Sequence, residues 1–226
     1  MSHVHSMLLR ATLGLLICCT ALPATADETS LTLLQCGDDE REDAGGTCLQ
    51  ETEFLAGTTS TALHLKVGGE AWGCDSEWAT SMEFDLSAIP AGLQVFAATL
   101  VVRKTGYSDD SQGFFYLGVF PYPATGAPVP VPRSALTPET TLDIAYPTAA
   151  NIDLSLDVTE AVAQWVADGE SRAGFLLAGV YSEAGYEDWI SVGGAGYAFP
   201  PRLFVSHEGA IGTVATPWTA VKTLYR

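Results

Sequence analysis

The stretch NIDLSLDVTEAVAQWVADG, residues 151–169, contains the two periodicities that decide the fold. Its first half is one of several short segments in which apolar residues recur at every second position, the pattern of a half-buried β-strand. Its second half repeats at helical spacing, and one face of the predicted helix is wholly apolar. That face consists of Val158, Ala161, Val162, Trp165 and Val166. The sequence therefore predicts one short helix in a chain of strands.

Both ends of this helix carry residues with known capping preferences. Asp157 and Glu160 have the spacing of a capping box, and Gly169 suits the left-handed position that ends a helix. A catalytic helix would aim a histidine, glutamate or cysteine at a cleft, whereas this one aims aliphatic groups and the Trp165 indole inward. We therefore expect the helix to close one end of the fold without carrying chemistry.

Segments with strand-like alternation, separated by turn residues, lie on both sides of the helix. They are TALHLKV (61–67), ATSMEFDL (79–86), LQVFAATLVVRK (93–104), FFYLGVFPY (114–122), NIDLSLDV (151–158), GFLLAGV (174–180), DWISVG (188–193) and PRLFVSH (201–207). The Pro-rich connection at residues 123–140 is excluded from a central strand, because proline lacks the ladder donor. The pattern predicts an all-β fold, an antiparallel β-sandwich of jelly-roll type. Its predicted core contains Phe84, Leu86, Leu100, Val158, Val162, Trp165, Phe175, Leu177 and Leu203.

The chain divides into four predicted segments. Residues 1–26 have an apolar run and the small-residue cleavage site Ala24-Thr25-Ala26, as in an export signal. An acidic, Cys-containing segment follows at 27–49, then the sandwich at 50–207 and a linker with an amphipathic tail at 208–226. The tail stretch TPWTAVKTLYR predicts a second, C-terminal helix. We expect a secreted or cell-surface protein of bacterial-type export, with no membrane span after signal removal.

The charge of the chain excludes one class of partner. With 27 acidic and 10 basic residues, the formal net charge is −17, a field that repels phosphate backbones, so nucleic-acid binding is not expected. Acidity also attracts Ca²⁺, for which Asp109 and Asp110 are candidate ligands although they lack EF-hand spacing. The acidic run DDERED (38–43) is expected to be a solvated loop. No cofactor is expected other than this candidate structural Ca²⁺.

Three cysteines follow the predicted signal: Cys36, Cys48 and Cys74. A disulfide between Cys36 and Cys48 would close the acidic loop and stabilise it by restricting the unfolded chain. Pairing of Cys48 with Cys74 is the competing scheme, and the sequence leaves this choice open.

Four ordered motifs resemble those of DNRLRE domains, which are also described as a carbohydrate-binding module family related to archaeal disaggregatase. The motifs are FDLSAIPAGLQVFAATLVV (84–102), LDVTEAVAQWV (156–166), GFLLAG (174–179) and FPPRLFVS (199–206). The resemblance covers residues 50–207 and implies a secreted β-sandwich, often appended to polysaccharide-degrading enzymes or cell-surface proteins. The family's Asn-Tyr-Gly element is absent, and GGAGYAF precedes PPRL where an acidic residue is frequent. These departures weaken the transfer of ligand specificity, and no catalytic role is carried over.

Aromatic residues beside acidic residues in three loop-like stretches predict a saccharide site. Sugar rings stack their C–H faces on aromatic rings, while carboxylates accept hydrogen bonds from sugar hydroxyls, and loops on a rigid sheet hold both in place. The stretches are WGCDSEW (72–78), GYSDDSQGFFY (106–116) and YSEAGYEDW (181–189). The ligand-binding candidates are Trp72, Trp78, Tyr107, Tyr181, Tyr186 and Trp189. The alternative is that these rings pack over sandwich edges.

No catalytic motif accompanies these rings. His64 and His207 lie in alternating strands, and no nucleophile elbow, P-loop or metalloprotease helix occurs. The leading interpretation is a non-catalytic module that binds an extracellular polysaccharide or cell-surface glycan, or acts as a cell-surface display domain. One alternative is a structural matrix or surface-layer protein that binds other proteins, with the tail docking on a surface or export protein. A glycan-active enzyme is the third interpretation.

Overall fold

The computed structural model describes residues 26–42, 53–57, 61–70, 76–107, 114–132, 137–145, 149–181 and 187–209. The predicted export signal, apart from Ala26, and the predicted C-terminal helix lie outside these ranges. The strands are β1 (Ala26–Leu31), β2 (Leu33–Glu42), β3 (Glu53–Ala56), β4 (His64–Glu70), β5 (Ser76–Asp85), β6 (Val95–Tyr107), β7 (Phe114–Tyr122), β8 (Val129–Pro132), β9 (Thr140–Ala145), β10 (Ile152–Asp157), β11 (Arg172–Tyr181), β12 (Glu187–Gly193) and β13 (Arg202–Glu208). The one helix within the described ranges is α1 (Thr159–Asp168).

Eleven strands form one curled, antiparallel sheet in the order β1-β13-β6-β12-β4-β5-β11-β7-β9, with β10 added to β6 and β2 added to β5. Its two layers are joined where the end of β4 pairs with the start of β5, from Gly68 opposite Trp78 to Glu70 opposite Ser76. We call the strands from β1 to β4, with β10, the β6 layer, and those from β5 to β9, with β2, the β11 layer. The predicted all-β, sandwich-like fold with one short helix is confirmed.

The main core lies between the two layers. Apolar side chains from both layers form one buried cluster, in which the rings of Phe84 and Phe175 meet at a centroid distance of 6.3 Å. Eight of the nine predicted core residues are buried there. Trp165 is partly buried and meets Phe175 edge-on at 5.3 Å, so its indole packs over the core from the helix. Leu63, which continues the alternation of β4, is 57% exposed because it precedes the strand.

The helix begins and ends near the predicted residues, but its first turn is capped differently. The N-cap residue is Val158, without a side-chain cap, and its buried backbone N–H donates to Ala98 O at 3.0 Å. Asp157 is therefore not the N-cap of the predicted Asp157–Glu160 capping box, although its Oδ1 accepts from the Thr159 N–H at 3.0 Å. Glu139 supplies a second acceptor, since the Ala161 N–H donates to its Oε1 at 3.0 Å. Gly169 ends the helix in the left-handed conformation, as predicted.

The N-terminal segment is part of the sandwich, which corrects its predicted separation from it. β1 pairs with β13, and β2 pairs with β5 through the acidic residues up to Glu42. The run DDERED is therefore strand rather than solvated loop over residues 38–42. In the described part of the chain β2 pairs only with β5, and charged residues on such an edge strand discourage pairing with other molecules.

Cys36 contradicts the predicted disulfide. It is a free cysteine with no exposed surface, opposite Met82 in the β2–β5 pair, and its Sγ accepts a hydrogen bond from the Ala195 N–H at 3.2 Å. Burial raises the pKa of this thiol. The side chain thus points into the core rather than toward a solvent-exposed loop. Cys48 and Cys74 lie outside the described residues.

A two-stranded flap, formed by β3 and β8, covers the outer face of the β11 layer. The flap pairs Glu53–Ala56 with the Pro-rich Val129–Pro132, which is in no central strand, as predicted. Beneath it lies a second buried cluster of Ala56, Ala79, Phe120, Tyr122, Leu176 and Ala178. The outer face of the β6 layer carries the candidate site.

Candidate functional site

A row of side chains crosses four strands on the outer face of the β6 layer. Residues that pair across neighbouring strands project from the same face. His64 pairs with Gly193, and Arg103 pairs with Asp153, while pairing of Val192 with Lys104 brings Gly193 level with Arg103. The chain neighbours of these residues point into the core: Leu65, Val102, Leu154 and Val192. The row therefore runs from β4 over β12 and β6 to β10 on the outer face.

Gly193 leaves room for an aromatic ring in the middle of the row. A Cβ at this position would lie 2.7 Å from Cδ1 of Tyr197 and 3.0 Å from the carbonyl oxygen of Phe199. The Tyr197 ring lies 5.3 Å from the His64 ring and 6.3 Å from the Phe199 ring, measured between centroids. Phe199 is 49% exposed. We call His64, Tyr197, Phe199, Arg103 and Asp153 the outer-face row.

The loop that carries the two rings is fixed to the sandwich by its backbone. Gly194 N–H donates to Leu63 O at 3.0 Å, and Gly196 N–H donates to Ala62 O at 3.3 Å. A Cβ at Gly194 would lie 2.4 Å from Ala62 O, so only glycine allows this approach. Between the two glycines, the Ala195 N–H donates to the buried Cys36 sulfur. The rings are therefore held by backbone contacts on both sides of the loop.

Polar groups fix the orientation of the rings from both sides. The Tyr197 hydroxyl donates to Asn151 Oδ1 at 3.0 Å. Asn151 has a φ of 62°, a left-handed conformation that asparagine tolerates better than most residues. On the other side, His64 Nδ1 lies 2.8 Å from Thr105 Oγ1. The tyrosine ring is thus oriented before any ligand arrives.

Two arginines hold Asp153 at one end of the row. Arg103 and Arg202 each place a guanidinium nitrogen 3.2 Å from a different oxygen of its carboxylate. Each guanidinium also lies over a ring, Arg103 at 4.7 Å from the Phe199 centroid and Arg202 at 5.6 Å from that of Phe204. Asp153 is partly accessible, with 41% of its side chain exposed. Donors and an acceptor are therefore placed next to an exposed aromatic ring.

Two of the predicted ligand-binding tryptophans are brought together, but around a lysine. Trp189 and Trp78 flank Gly68 on neighbouring strands, and the Lys66 ammonium lies 3.2 Å from the Trp78 centroid and 4.4 Å from the Trp189 centroid. Trp78 is only 4% exposed, and Trp189 is partly buried. The ammonium covers one face of the Trp78 ring, so Trp78 contributes to packing rather than to an open sugar platform.

Tyr107 packs against the core near a buried lysine. The Lys104 ammonium lies 4.8 Å from the Tyr107 ring centroid, and Lys104 has no exposed surface. Burial lowers the pKa of this lysine, because the charged form loses hydration. In the described structure, Tyr107 is therefore part of the interior at one end of the sandwich.

The remaining predicted site residues cannot be placed by their side chains. Trp72, Tyr186, Asp109 and Asp110 lie outside the described residues, and of Tyr181 only the backbone, at the end of β11, is described. The strand ends that flank the three aromatic stretches do meet at one end of the fold. Glu70 pairs there with both Glu187 and Ser76, and Tyr107 pairs with Ile190.

A buried ionic cluster lies under the flap. Glu83, whose side chain has no exposed surface, accepts a bond from Arg172 at 3.2 Å and one from the Tyr122 hydroxyl at 3.4 Å. Burial, together with the neighbouring carboxylate, raises the pKa of Tyr122. Gly57 N–H donates to Ser81 Oγ at 3.0 Å, which joins the flap to the same face. The Gly57–Ser81 bond attaches the flap to the β11 layer, while the contacts of Glu83 join β5, β7 and β11 beneath it.

The two histidines in the described residues, His64 and His207, bond to hydroxyl and carbonyl oxygens. Both ring nitrogens of the buried His207 are engaged, with Thr29 Oγ1 at 3.0 Å and Glu208 O at 2.8 Å. Within the described ranges, no three His, Cys, Asp or Glu side chains are grouped so that they could hold a metal ion. No helix in that part of the chain is long and apolar enough to cross a membrane.

Comparisons of the chain with protein-family models and with curated proteins find no match, so the resemblance to DNRLRE domains stays a prediction.

The sequence interpretation missed the outer-face row. It noted GGAGYAF only as a departure from a family pattern, although this stretch supplies Tyr197 and Phe199. Three glycines beside two aromatic residues are a usable signal, because a backbone that must approach a sheet closely needs glycine. Tertiary contacts decide which strand the loop packs on, and no local sequence pattern indicates it.

Proposed function

We propose that this protein is a secreted, non-catalytic module that binds an extracellular polysaccharide through the outer-face row. The observation that carries the proposal is the exposed Phe199 ring, which lies beside Tyr197 in a row with imidazole, guanidinium and carboxylate groups. Sugar binding requires apolar faces for C–H groups and nearby hydrogen-bonding groups for hydroxyls. The row supplies both on one rigid sheet.

Rigidity supports binding as the role of this surface. Tyr197 has two restrained neighbours, His64 and Asn151, and Asp153 is held by two arginines. Side chains that are ordered in the free protein lose little conformational entropy when a ligand binds. An ordered surface matters most for the affinity of a flexible polysaccharide, because ordering the polymer itself already costs free energy.

Secretion and cell-surface display belong to the same proposal. The predicted export signal at residues 1–26 places the protein where polysaccharides are found. The resemblance to carbohydrate-binding modules is consistent with this role.

The test is affinity electrophoresis of the full chain in gels that contain soluble β-glucan, xylan, mannan, pectin or polyuronate. We expect at least one of these polymers to retard the protein. Phe199→Ala should weaken that interaction by roughly 30-fold, because removal of an aromatic anchor costs about 2 kcal/mol. Phe96→Ala is a matched control, since Phe96 is also an exposed phenylalanine, at 41%, near the opposite end of β6.

Two outcomes would contradict the proposal. One is the absence of retardation by all five polymers, and the other is an equal loss of binding in Phe199→Ala and Phe96→Ala. Release of new sugar ends when the pure protein is incubated with the retarding polymer would contradict its non-catalytic part.

A further inference from the structure

We infer that the outer-face row binds an internal segment of a linear glycan, with the sugar chain lying across the strands, rather than a chain end or a free small sugar. The inference rests on the proposed polysaccharide binding and adds the part of the polymer that is recognised. It follows from the direction, the length and the accessibility of the row.

The direction of the row is set by strand register. His64, Gly193, Arg103 and Asp153 lie on four neighbouring strands at one level, so the row is perpendicular to the strands. Neighbouring strands are separated by about 4.8 Å, which gives the row a length of about 14 Å. This length accommodates several sugar units in an extended chain and exceeds that of a single ring.

The order of groups along the row suits a continuous chain. Two aromatic rings, Tyr197 and Phe199, lie in the middle, and polar groups flank them on both sides. His64 lies at one end, and Asp153 with Asn151 lies at the other. Ring faces in the middle can stack on successive sugars, while the polar groups bond the hydroxyls of the units on either side.

Both ends of the row are accessible. His64, Asn151 and Asp153 are exposed. In the described part of the chain β10 pairs only with β6, so the row reaches an edge of the layer at its Asp153 end. A site for chain ends encloses the terminal sugar, whereas the described residues leave a polymer room to continue beyond both ends of the row.

The lysine–tryptophan cluster argues against a path along the strands. From His64, a ligand that followed β4 would next reach Lys66, whose ammonium lies between the Trp78 and Trp189 rings. The ring faces in that direction are already occupied by a cation. Arg103 also lies over the Phe199 ring, at 4.7 Å, but Phe199 is 49% exposed whereas Trp78 is only 4% exposed, so the accessible ring lies across the strands.

The experiment is calorimetry of the full chain with di-, tri-, tetra- and hexasaccharides prepared from each of the five polymers named above. Each oligosaccharide is used both with free ends and with both ends chemically capped. We expect affinity to rise about tenfold or more, which corresponds to about 1.4 kcal/mol, from the disaccharide to the tetrasaccharide and then to level off. Capping should change the tetrasaccharide affinity by less than about twofold, within the scatter expected for a group that makes no contact.

The variant His64→Ala tests the contribution of one end of the row separately from that of its centre. We expect it to weaken hexasaccharide binding several-fold and to leave disaccharide binding unchanged, because two sugar units do not span the row. Phe199→Ala should weaken both, and Phe96→Ala should weaken neither. The melting temperature of each variant reports whether its fold is intact.

The results distinguish this inference from the proposed function. Full affinity for a disaccharide, or loss of binding after capping, would overturn the internal-segment inference while polysaccharide binding stands. Failure of every polymer and every oligosaccharide to bind the wild-type protein would overturn both.

Discussion

Each outer face of the sandwich carries an arginine–carboxylate pair, but the two pairs differ in exposure and in what they contribute. On the β11 layer, Arg172 lies 3.2 Å from Glu83, and on the β6 layer Arg103 lies 3.2 Å from Asp153. The Glu83 side chain has no exposed surface, whereas that of Asp153 is 41% exposed. The flap makes the difference, because it lies over Glu83, whereas in the described part of the chain no such flap lies over Asp153.

Burial therefore decides what each arginine–carboxylate pair contributes. Under the flap, water cannot replace a partner lost from Glu83 or Tyr122, so these two buried groups depend on one another. On the open face, water competes for every polar group, so the pair adds little stability and remains available to a ligand. Geometry alone, with equal distances, would not distinguish the two.

The largest expected effect follows removal of the buried carboxylate. Glu83→Ala leaves the Tyr122 hydroxyl and Arg172 without their acceptor. Because Arg172 is 36% exposed and can turn to water, we expect a cost of about 3 kcal/mol, the lower end of the range for breaking a buried pair. Urea unfolding followed by tryptophan fluorescence measures the loss. Glu83→Gln keeps an acceptor for Tyr122 and should lose less.

An equal, small loss in both Glu83 variants would contradict this role of the cluster. If Glu83→Ala does not fold at all, the comparison rests on Glu83→Gln and on proteolysis of the flap. We expect the flap in Glu83→Gln to be cleaved faster than in the wild type, because Gly57, next to the end of β3, packs against Glu83 and the ion pair beneath it is lost.

The second expected effect concerns the glycine that seats Tyr197. Gly193→Ala would place a Cβ 2.7 Å from the Tyr197 ring and 3.0 Å from Phe199 O, so the loop must shift. Overpacking of this kind costs roughly 1–3 kcal/mol, and displacement of the rings should remove most polysaccharide binding. Unfolding and affinity electrophoresis measure the two losses.

Gly106→Ala is the matched control for this change. Gly106 lies on the neighbouring strand β6, where an added Cβ would meet only Ser191, at an ordinary 3.7 Å. Retained ring-dependent binding in Gly193→Ala would show that Tyr197 and Phe199 are not positioned by this glycine.

The regular elements of the fold were predictable because their periodicity is local. The strand around Leu100 and the helix around Val162 carry their core faces in the sequence itself. β2 was missed because Asp and Glu rarely occupy central strands, whereas on an edge strand their charges are tolerated. β8 was missed because proline is excluded from central strands, and it pairs only with β3 in the described residues.

The site was less predictable than the fold, because it depends on contacts between distant residues. Trp78 lies in a stretch with the composition of a sugar-binding loop. The pairing of β4, β5 and β12, however, places the Lys66 ammonium over its ring. Tyr197 and Phe199 became candidates only once the loop was seen to lie over Gly193. Single-sequence periodicity says which face a strand residue occupies and nothing about which loop covers that face.

The third expected effect concerns Glu139. Unlike Glu83, its carboxylate forms no ion pair with an arginine in the described structure. Glu139 accepts from the Ala161 N–H, its Oε2 is buried, and burial raises its pKa above the ordinary 4.5. The folded state therefore favours the protonated form. Its contribution to stability is complete below pH 4.5 and declines as pH rises through the folded pKa.

Glu139→Gln removes this titration. We expect the wild type to lose stability relative to Glu139→Gln in urea unfolding as the pH is raised from 4 toward 7, because the folded state favours the protonated carboxyl. If the wild type instead becomes more stable relative to Glu139→Gln as the pH rises over this range, helix capping outweighs burial at Glu139.

The smallest expected effect on stability follows the change of Asp153 on the outer face of the β6 layer, the counterpart of Glu83 on the other face. Asp153→Asn removes the charge that Arg103 and Arg202 share at 3.2 Å, yet the side chain is 41% exposed, so the loss should stay below about 1 kcal/mol. The loss should shrink further in high salt, because exposed charges are screened. Polysaccharide affinity should fall by more than stability does, since the carboxylate lies in the row that we propose as the sugar-binding surface. A loss as large as that of Glu83→Ala would mean that burial is not what separates the two faces.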